Sequence, residues 1–286
     1  MIHKVAIIGA GRWGRNIVKV LAGLPELSKI EAIVYSGNPD TKEFLAVNYP
    51  KIPRGTDVEK VLNDSSITHV MIATQIDTHY SLAKKCLVAG KHTFVEKPLC
   101  LEESKAKELH ALALEKNLTL ATGYVYLFDD SLLQLRNYTK TGTSVSLKMK
   151  WEKWGTFDSL IITNLLVHEL AIAHFLMGNF EKITSSTIGE NQLSLLAQYQ
   201  HGTVSIAIDR EKSDKKKIIT AVIDEATYSL ENGELKTSKA PTEPLFSSDT
   251  SRLLEYELTS FLNDKEDYDW EVIDVEVAKI LDSLII

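Results

Sequence analysis

Cysteine is scarce in this chain: Cys86 and Cys100 are the only two among 286 residues. They form no CxxC pair and carry no metal-ligand spacing, so reduced structural thiols are expected rather than disulfides. Apolar runs of membrane-spanning length are absent, and the chain runs straight into its first strand with no room for a signal peptide, which together predict a cytoplasmic protein that does not enter a membrane. Basic residues are outnumbered: 32 Lys and Arg face 39 Asp and Glu, for a net charge of −7, which argues against a nucleic-acid partner. The one concentration of lysine, Glu211-Lys212-Ser213-Asp214-Lys215-Lys216-Lys217, has acidic residues mixed in and no interleaved aromatics, and reads as a solvated hairpin or loop. GxSxG and Walker A sequences are missing. His168-Glu169 is no zincin motif, because the second histidine falls at His174 rather than at the position of Ile172, so no metal is expected.

What is present begins at Gly9-Ala10-Gly11-Arg12-Trp13-Gly14, between the apolar run Val5-Ala6-Ile7-Ile8 and a helical pattern with Ile17, Val20, Leu21 and Leu24 on one face. Strand, glycine turn and helix in that order propose a dinucleotide site: Gly9 permits the turn, Gly11 lets backbone N–H groups approach a pyrophosphate, and Gly14 lets the helix pack on the strand. An NAD site would carry a carboxylate about 20 residues further on, at the tip of the second strand, to hydrogen-bond the ribose hydroxyls. Here that position holds Ser36, with Asn38, Thr41 and Lys42 beyond it. A hydroxyl, an amide and an ammonium accommodate a 2′-phosphate that aspartate would repel, so NADP(H) is favoured and NAD(H) remains open.

With 44% hydrophobic residues, the chain has enough to fill one large or two moderate cores. Up to residue 121 apolar strands alternate with helical patterns, the signature of a parallel sheet. Val70–Ala73 reads as a buried strand, Asp77 or Thr78 as a helix cap, and Thr93-Phe94-Val95 as a strand delivering Glu96-Lys97-Pro98 at its carboxyl end. Ligands bind outside the carboxyl ends of such strands, where the glycine turn, Thr74-Gln75 and Glu96-Lys97 all project. From residue 122 to 286 the pattern changes to period-two alternation, with Val145, Leu147, Met149 and Trp151 on one side of a strand. Further strands near 182–188, 193–200, 203–209, 217–224, 226–230 and 234–237 predict a largely antiparallel sheet, with helices near 164–177, 251–263 and 272–286. The fold class is α/β: an N-terminal Rossmann parallel sheet followed by a C-terminal α/β domain on an open sheet.

Lys97, at a strand tip with Pro98 holding its backbone away from helix, can donate to a substrate hydroxyl or carbonyl or shuttle a proton; the alternative is a surface lysine in a turn. Asn164 and His168 lie four apart on an otherwise apolar helix, where His168 can act as acid or base and Asn164 can orient it; a core histidine is the plain alternative. Tyr124, Tyr126, Trp151 and Trp154 are candidate walls for a ring-shaped substrate.

With these residues assembled, the chain resembles the glucose–fructose oxidoreductase, inositol dehydrogenase and rhizopine-catabolism (Gfo/Idh/MocA) family. The resemblance runs through the glycine motif, Ala73-Thr74-Gln75 with Thr78-His79, Ala89-Gly90-Lys91-His92, Glu96-Lys97-Pro98 and the His168 helix ending at Gly178. It implies a cofactor site that includes Gly9, Gly11, Arg12, Trp13, Gly14, Thr74, Gln75, His79, Glu96 and Lys97. It also implies that Lys97 and His168 flank a sugar-like substrate near the nicotinamide, and that the open sheet forms a homo-oligomer interface. Many members carry aspartate where this chain has Asn164 and Ala171, and proline where it has Gln75. Alongside an NADP-linked oxidoreductase of a sugar, sugar nucleotide or polyol stand two alternatives: a catalytically reduced dinucleotide-binding sensor, and a reductase of a non-sugar ring carbonyl.

Overall fold

The computed structural model describes residues 2–155, 157, 159–240, 242–264 and 268–284. In the first part of the chain, short apolar strands alternate with helices: β1 (His3–Ile8), α1 (Gly14–Ala22), β2 (Ser28–Val34), α2 (Pro39–Asn48), β3 (Arg54–Gly55), α3 (Val58–Asn63), β4 (His69–Ile72), α4 (Ile76–Val88), β5 (His92–Glu96), α5 (Glu103–Glu115) and β6 (Leu120–Gly123). The six strands pair in parallel in the order β3-β2-β1-β4-β5-β6, the doubly wound arrangement. Such a sheet is covered on both faces, which is why β1 and β4 read as continuous apolar runs rather than alternating ones. Ala6, Ile8, Val70 and Ile72 face one core with Ala83 and Leu87 of α4 and Leu109 of α5, whereas Val5, Ile7, Met71 and Phe94 face another with Ile17 and Leu21 of α1.

The second part contains a 3-10 turn (Val125–Phe128), α6 (Asp130–Thr141), β7 (Val145–Glu152), a π-helical turn (Ile162–Leu166), α7 (Val167–Met177), β8 (Phe180–Ile188), β9 (Gln192–Tyr199), β10 (Gly202–Asp209), β11 (Lys216–Ile223), β12 (Ala226–Glu231), β13 (Glu234–Thr237) and β14 (Phe246–Ser247). Its eight strands run in the order β14-β13-β12-β11-β7-β10-β9-β8, antiparallel except for the parallel pair of β7 with β10. One face buries Val145, Leu147, Met149 and Trp151, while Lys148, Ser194, Leu196 and Val222 are exposed. Period-two patterning located these strands well. It missed α6 and the two-residue β14.

Two expectations need correction. The second domain was expected to run unbroken from 122 to 286; instead, one compact unit comprises 1–123 with 254–282, and the other 124–253. The closing helices α8 (Leu253–Leu262) and α9 (Trp270–Leu284) return to the parallel sheet, where Leu258, Phe261 and Leu262 fill one core and Ala278 the other. Buried Asp274 of α9 fastens this return by accepting from Thr122 Oγ1 at 2.8 Å and lying 2.9 Å from His110 Nε2. Helical periodicity shows which side of a helix is apolar but not which sheet it covers. The expected end of the last helix, Ile286, lies outside the described residues. The second concerns the lysine-rich run: the strand expected at 217–224 is present as β11, beginning one residue earlier at Lys216, but Lys217 is enclosed rather than solvated.

Candidate active site

The glycine turn is built by close approach. Gly9 has φ +100°, and a Cβ there would lie 2.3 Å from the Ala73 carbonyl oxygen; a Cβ on Gly14 would lie 2.1 Å from the Gly9 carbonyl oxygen. Both positions therefore exclude a side chain. Gly11 differs: nothing lies within 4 Å of its Cβ position, so the loop is closed at its two ends and open in the middle, at the N-terminus of α1. That open cradle beside unpaired helix N–H groups fits a pyrophosphate.

Around the turn, the Trp13 indole N–H donates to the Glu96 carboxylate in a short hydrogen bond, tying the glycine loop to the tip of β5. Glu96 is 8% exposed, and burial pushes its carboxyl up to about 7 against the opposing pull of Lys97 and the indole. Lys97 follows at the strand tip, half-buried. A second buried carboxyl, Glu257 of α8, was not anticipated: it is 2% exposed, and neither oxygen has a hydrogen-bond partner among the described residues. Burial, with a further push from Glu96, holds its proton far above the usual carboxylate range.

His79 lies beneath this surface rather than on it. It is 2% exposed, with Nδ1 2.9 Å from the Pro98 carbonyl and Nε2 3.2 Å from that of Thr74. Burial lowers its pKa against the help of both carbonyls. The ring thus straps the segment after β4 to the one after β5. Thr74 Oγ1 and Thr78 Oγ1 share a hydrogen bond of 2.7 Å, and exposed Gln75, rather than Asp77 or Thr78, is the N-cap residue of α4.

Ser36, Asn38 and Lys42 are exposed beyond β2, as are Arg12 and Trp13 on the glycine loop. Asn38 is partly committed, since its Oδ1 accepts from Thr41 N at 3.1 Å and caps α2. A cation missed from sequence joins them: Arg15 of α1 donates to Thr41 Oγ1 at 3.3 Å and lies 4.3 Å over the Phe44 ring. Its place directly after Gly14 was the available signal.

The second unit carries a separate cluster. The His168 ring meets the edge of Tyr126 at 5.1 Å and 84°, and lies 5.9 Å from Trp151. Lys217 of β11, paired in register with Trp151, places its ammonium 3.9 Å over the Trp151 ring and 4.4 Å over Tyr126. It also forms a short ion pair with Glu169, which is 1% exposed. Tyr124 is buried at 1% exposure, and Trp154 is 63% exposed with its ring against Phe157. Asn164 sits in the π-helical turn, where residues four apart no longer align as in an α-helix, and its amide donates to Ser159 Oγ at 2.7 Å.

At the opposite, amino-terminal edge of the parallel sheet, His69, His92 and Asp264 bring potential ligand atoms within 4.8 Å of one another, a grouping that sequence spacing did not reveal. The two imidazoles stack nearly parallel, 13° apart, so their in-plane lone pairs do not converge on one point.

Residues 3–124 match the family described as the Gfo/Idh/MocA oxidoreductase family, NAD-binding Rossmann fold. The match covers under half of this chain, and over that stretch the chain is similar to the family. Among curated Gfo/Idh/MocA-like relatives, an uncharacterized oxidoreductase of Escherichia coli, YdgJ, is 31% identical over 140 residues, covering 49% of this chain and 39% of that protein. UDP-N-acetylglucosamine 3-dehydrogenase of Acidithiobacillus ferrooxidans is 27% identical over 184 residues, covering 62% and 56% of the two chains. The NADP(+)-linked scyllo-inositol 2-dehydrogenase IolW of Bacillus subtilis is 23% identical over 216 residues, covering 70% and 59%. These sequence matches thus span from two-fifths to three-fifths of the relatives' lengths. The solved structure of the Acidithiobacillus enzyme shares the fold across 98% of this chain and 96% of its own, with a TM-score of 0.86 at 19% identity. Among the described residues no helix is long and apolar enough to cross a membrane.

Proposed function

We propose that this protein is a nicotinamide-dependent oxidoreductase that interconverts a carbinol and a ketone on a sugar, sugar nucleotide or related polyol. The observation that carries the reading is the glycine turn, closed at Gly9 and Gly14 and open at Gly11. The bound dinucleotide supplies or accepts the hydride. The chain's residues hold it and manage the accompanying proton: backbone N–H groups at the start of α1 take the pyrophosphate, and Trp13, through its bond to Glu96, fixes the loop. Lys97 and His168 are the two groups assigned to donate or accept the proton at the substrate oxygen. Tyr126 and Trp151 form the aromatic wall beside His168. The sugar-like substrate class is supported by the names of the relatives.

NADP(H) is the preferred cofactor in this reading. Ser36 offers no carboxylate to repel a 2′-phosphate, and Lys42 and Arg15 supply nearby positive charge on the same side of the fold. The second sheet serves as a homo-oligomer interface, supported by exposed Ile188, Leu196 and Val222 on its strands. Cofactor fluorescence titration tests the first part: NADPH binds more tightly than NADH, and absence of binding by both overturns the reading.

A sensor that binds the dinucleotide without turnover remains the second reading. It is favoured by Asn164, whose amide is committed to Ser159 and supplies no carboxylate for a proton relay.

A further inference from the structure

The lysine read from sequence as solvated is the most enclosed cation of the second unit's aromatic cluster. Lys217 keeps 17% of its side chain exposed, and its ammonium is directed at three things at once: the Glu169 carboxylate, the face of Trp151 and the face of Tyr126. Both rings that Lys217 covers also touch His168, and Glu169 is the next residue in the chain after His168. Strand β11, strand β7, the 3-10 turn and α7 therefore meet in one closed set of contacts.

We propose that Lys217 is a positioning residue for His168, acting with Glu169 through the Trp151 and Tyr126 rings. The ion pair pins the first turn of α7 to β11, and the ring faces held under the ammonium set the two surfaces against which the imidazole rests. One consequence concerns substrate recognition: the ammonium occupies one face of each ring, which removes that face from stacking on a sugar. The account of His168 as a proton-handling group rests on the proposed oxidoreductase reading, whereas the Lys217 geometry does not.

The charged and titratable groups that these contacts bring to the wall are Tyr126 from the 3-10 turn, Lys217 from β11 and Glu169 beside His168; Trp151 from β7 carries no charge. Burial depresses the Lys217 proton affinity. Removing one member leaves the other's charge near the imidazole. A lone carboxylate favours the imidazolium and a lone ammonium opposes it.

The test reads His168 in the resting full-length protein by histidine-labelled NMR titration, with its signal assigned by its loss in His168→Ala. Lys217→Met should raise the His168 midpoint by roughly half a unit or more and Glu169→Gln should lower it by a similar amount, the modest end of nearby-charge effects. The Glu169→Gln, Lys217→Met double variant should return toward the parent, and Lys217→Arg should retain the parental midpoint. If Lys217→Met does not fold, a lowered midpoint in Glu169→Gln together with a parental midpoint in Lys217→Arg decides. Midpoints that stay in place, or single variants that shift in the same direction, overturn the proposal. Because no substrate is needed, this failure is distinct from failure of the oxidoreductase reading, which would appear as absence of turnover by the parent protein.

Discussion

Two buried carboxyl clusters, one in each unit, handle charge in opposite ways. In the parallel-sheet unit, Glu96 and Glu257 are both buried; Glu96 keeps Lys97 and the Trp13 indole nearby, but Glu257 has no hydrogen-bond partner among the described residues. In the second unit, Glu169 is equally buried but meets Lys217 directly, with two aromatic faces completing the ammonium's surroundings. Burial without a countercharge stores a proton, whereas burial with one fixes a position. The difference assigns the carboxyl pair to a site that changes with pH and the ion pair to one that holds geometry.

The largest expected effect lies in the glycine turn of the first unit. Gly14→Ala drives a methyl into the Gly9 carbonyl and should cost more than about 4 kcal/mol, seen as loss of cooperative unfolding. Gly11→Ala meets open space and should leave thermal stability unchanged while weakening NADPH binding by on the order of tenfold or more. Equal effects of the two on stability would remove the open-cradle argument.

A smaller effect sharpens the contrast in charge. The folded-state pKa of Glu257 is raised, so its contribution to stability is present below the unfolded-state value near 4.5 and is lost as pH rises through the folded one. Glu96 behaves in the same sense, with its loss centred between about 4.5 and about 7. Glu257→Gln keeps the neutral shape at every pH and should raise Tm by about a few degrees at pH 8, with little change at pH 4. Thermal scans at both values check this, and an equal shift at each would show that the carboxyl is not the cause.

The smallest change is Ser36→Asp, which should swing cofactor preference toward NADH by roughly tenfold through repulsion of a 2′-phosphate. Paired NADPH and NADH titrations measure it.

What could be read in advance divides along the same line as the two units. Gly9, Gly11, Gly14, Glu96 and Lys97 announce themselves because each sits at the end of an apolar run, where local pattern fixes both the element and its tip. The Trp13–Glu96 bond and the strap formed by His79 join residues already singled out, although the burial of His79 was not visible. Lys217 and Glu169 are brought together by strand register and helix packing across 48 positions, and the local pattern that places a strand start at Lys217 does not show that its ammonium is enclosed. Glu257 was hidden for a related reason: its helix follows the second sheet in sequence but packs on the first. Asn164 was placed by assuming α-helical spacing, which the π-helical turn changes.

The most direct test of the account is stopped-flow NADPH oxidation by the parent, Lys97→Met and His168→Ala with a panel of keto-sugars, sugar nucleotides and non-sugar ring ketones. The account predicts turnover by the parent and a fall of about 10²- to 10⁴-fold in each variant, with NADPH affinity much less affected. Tight NADPH binding without turnover by the parent across the panel would contradict it and leave the sensor reading in its place.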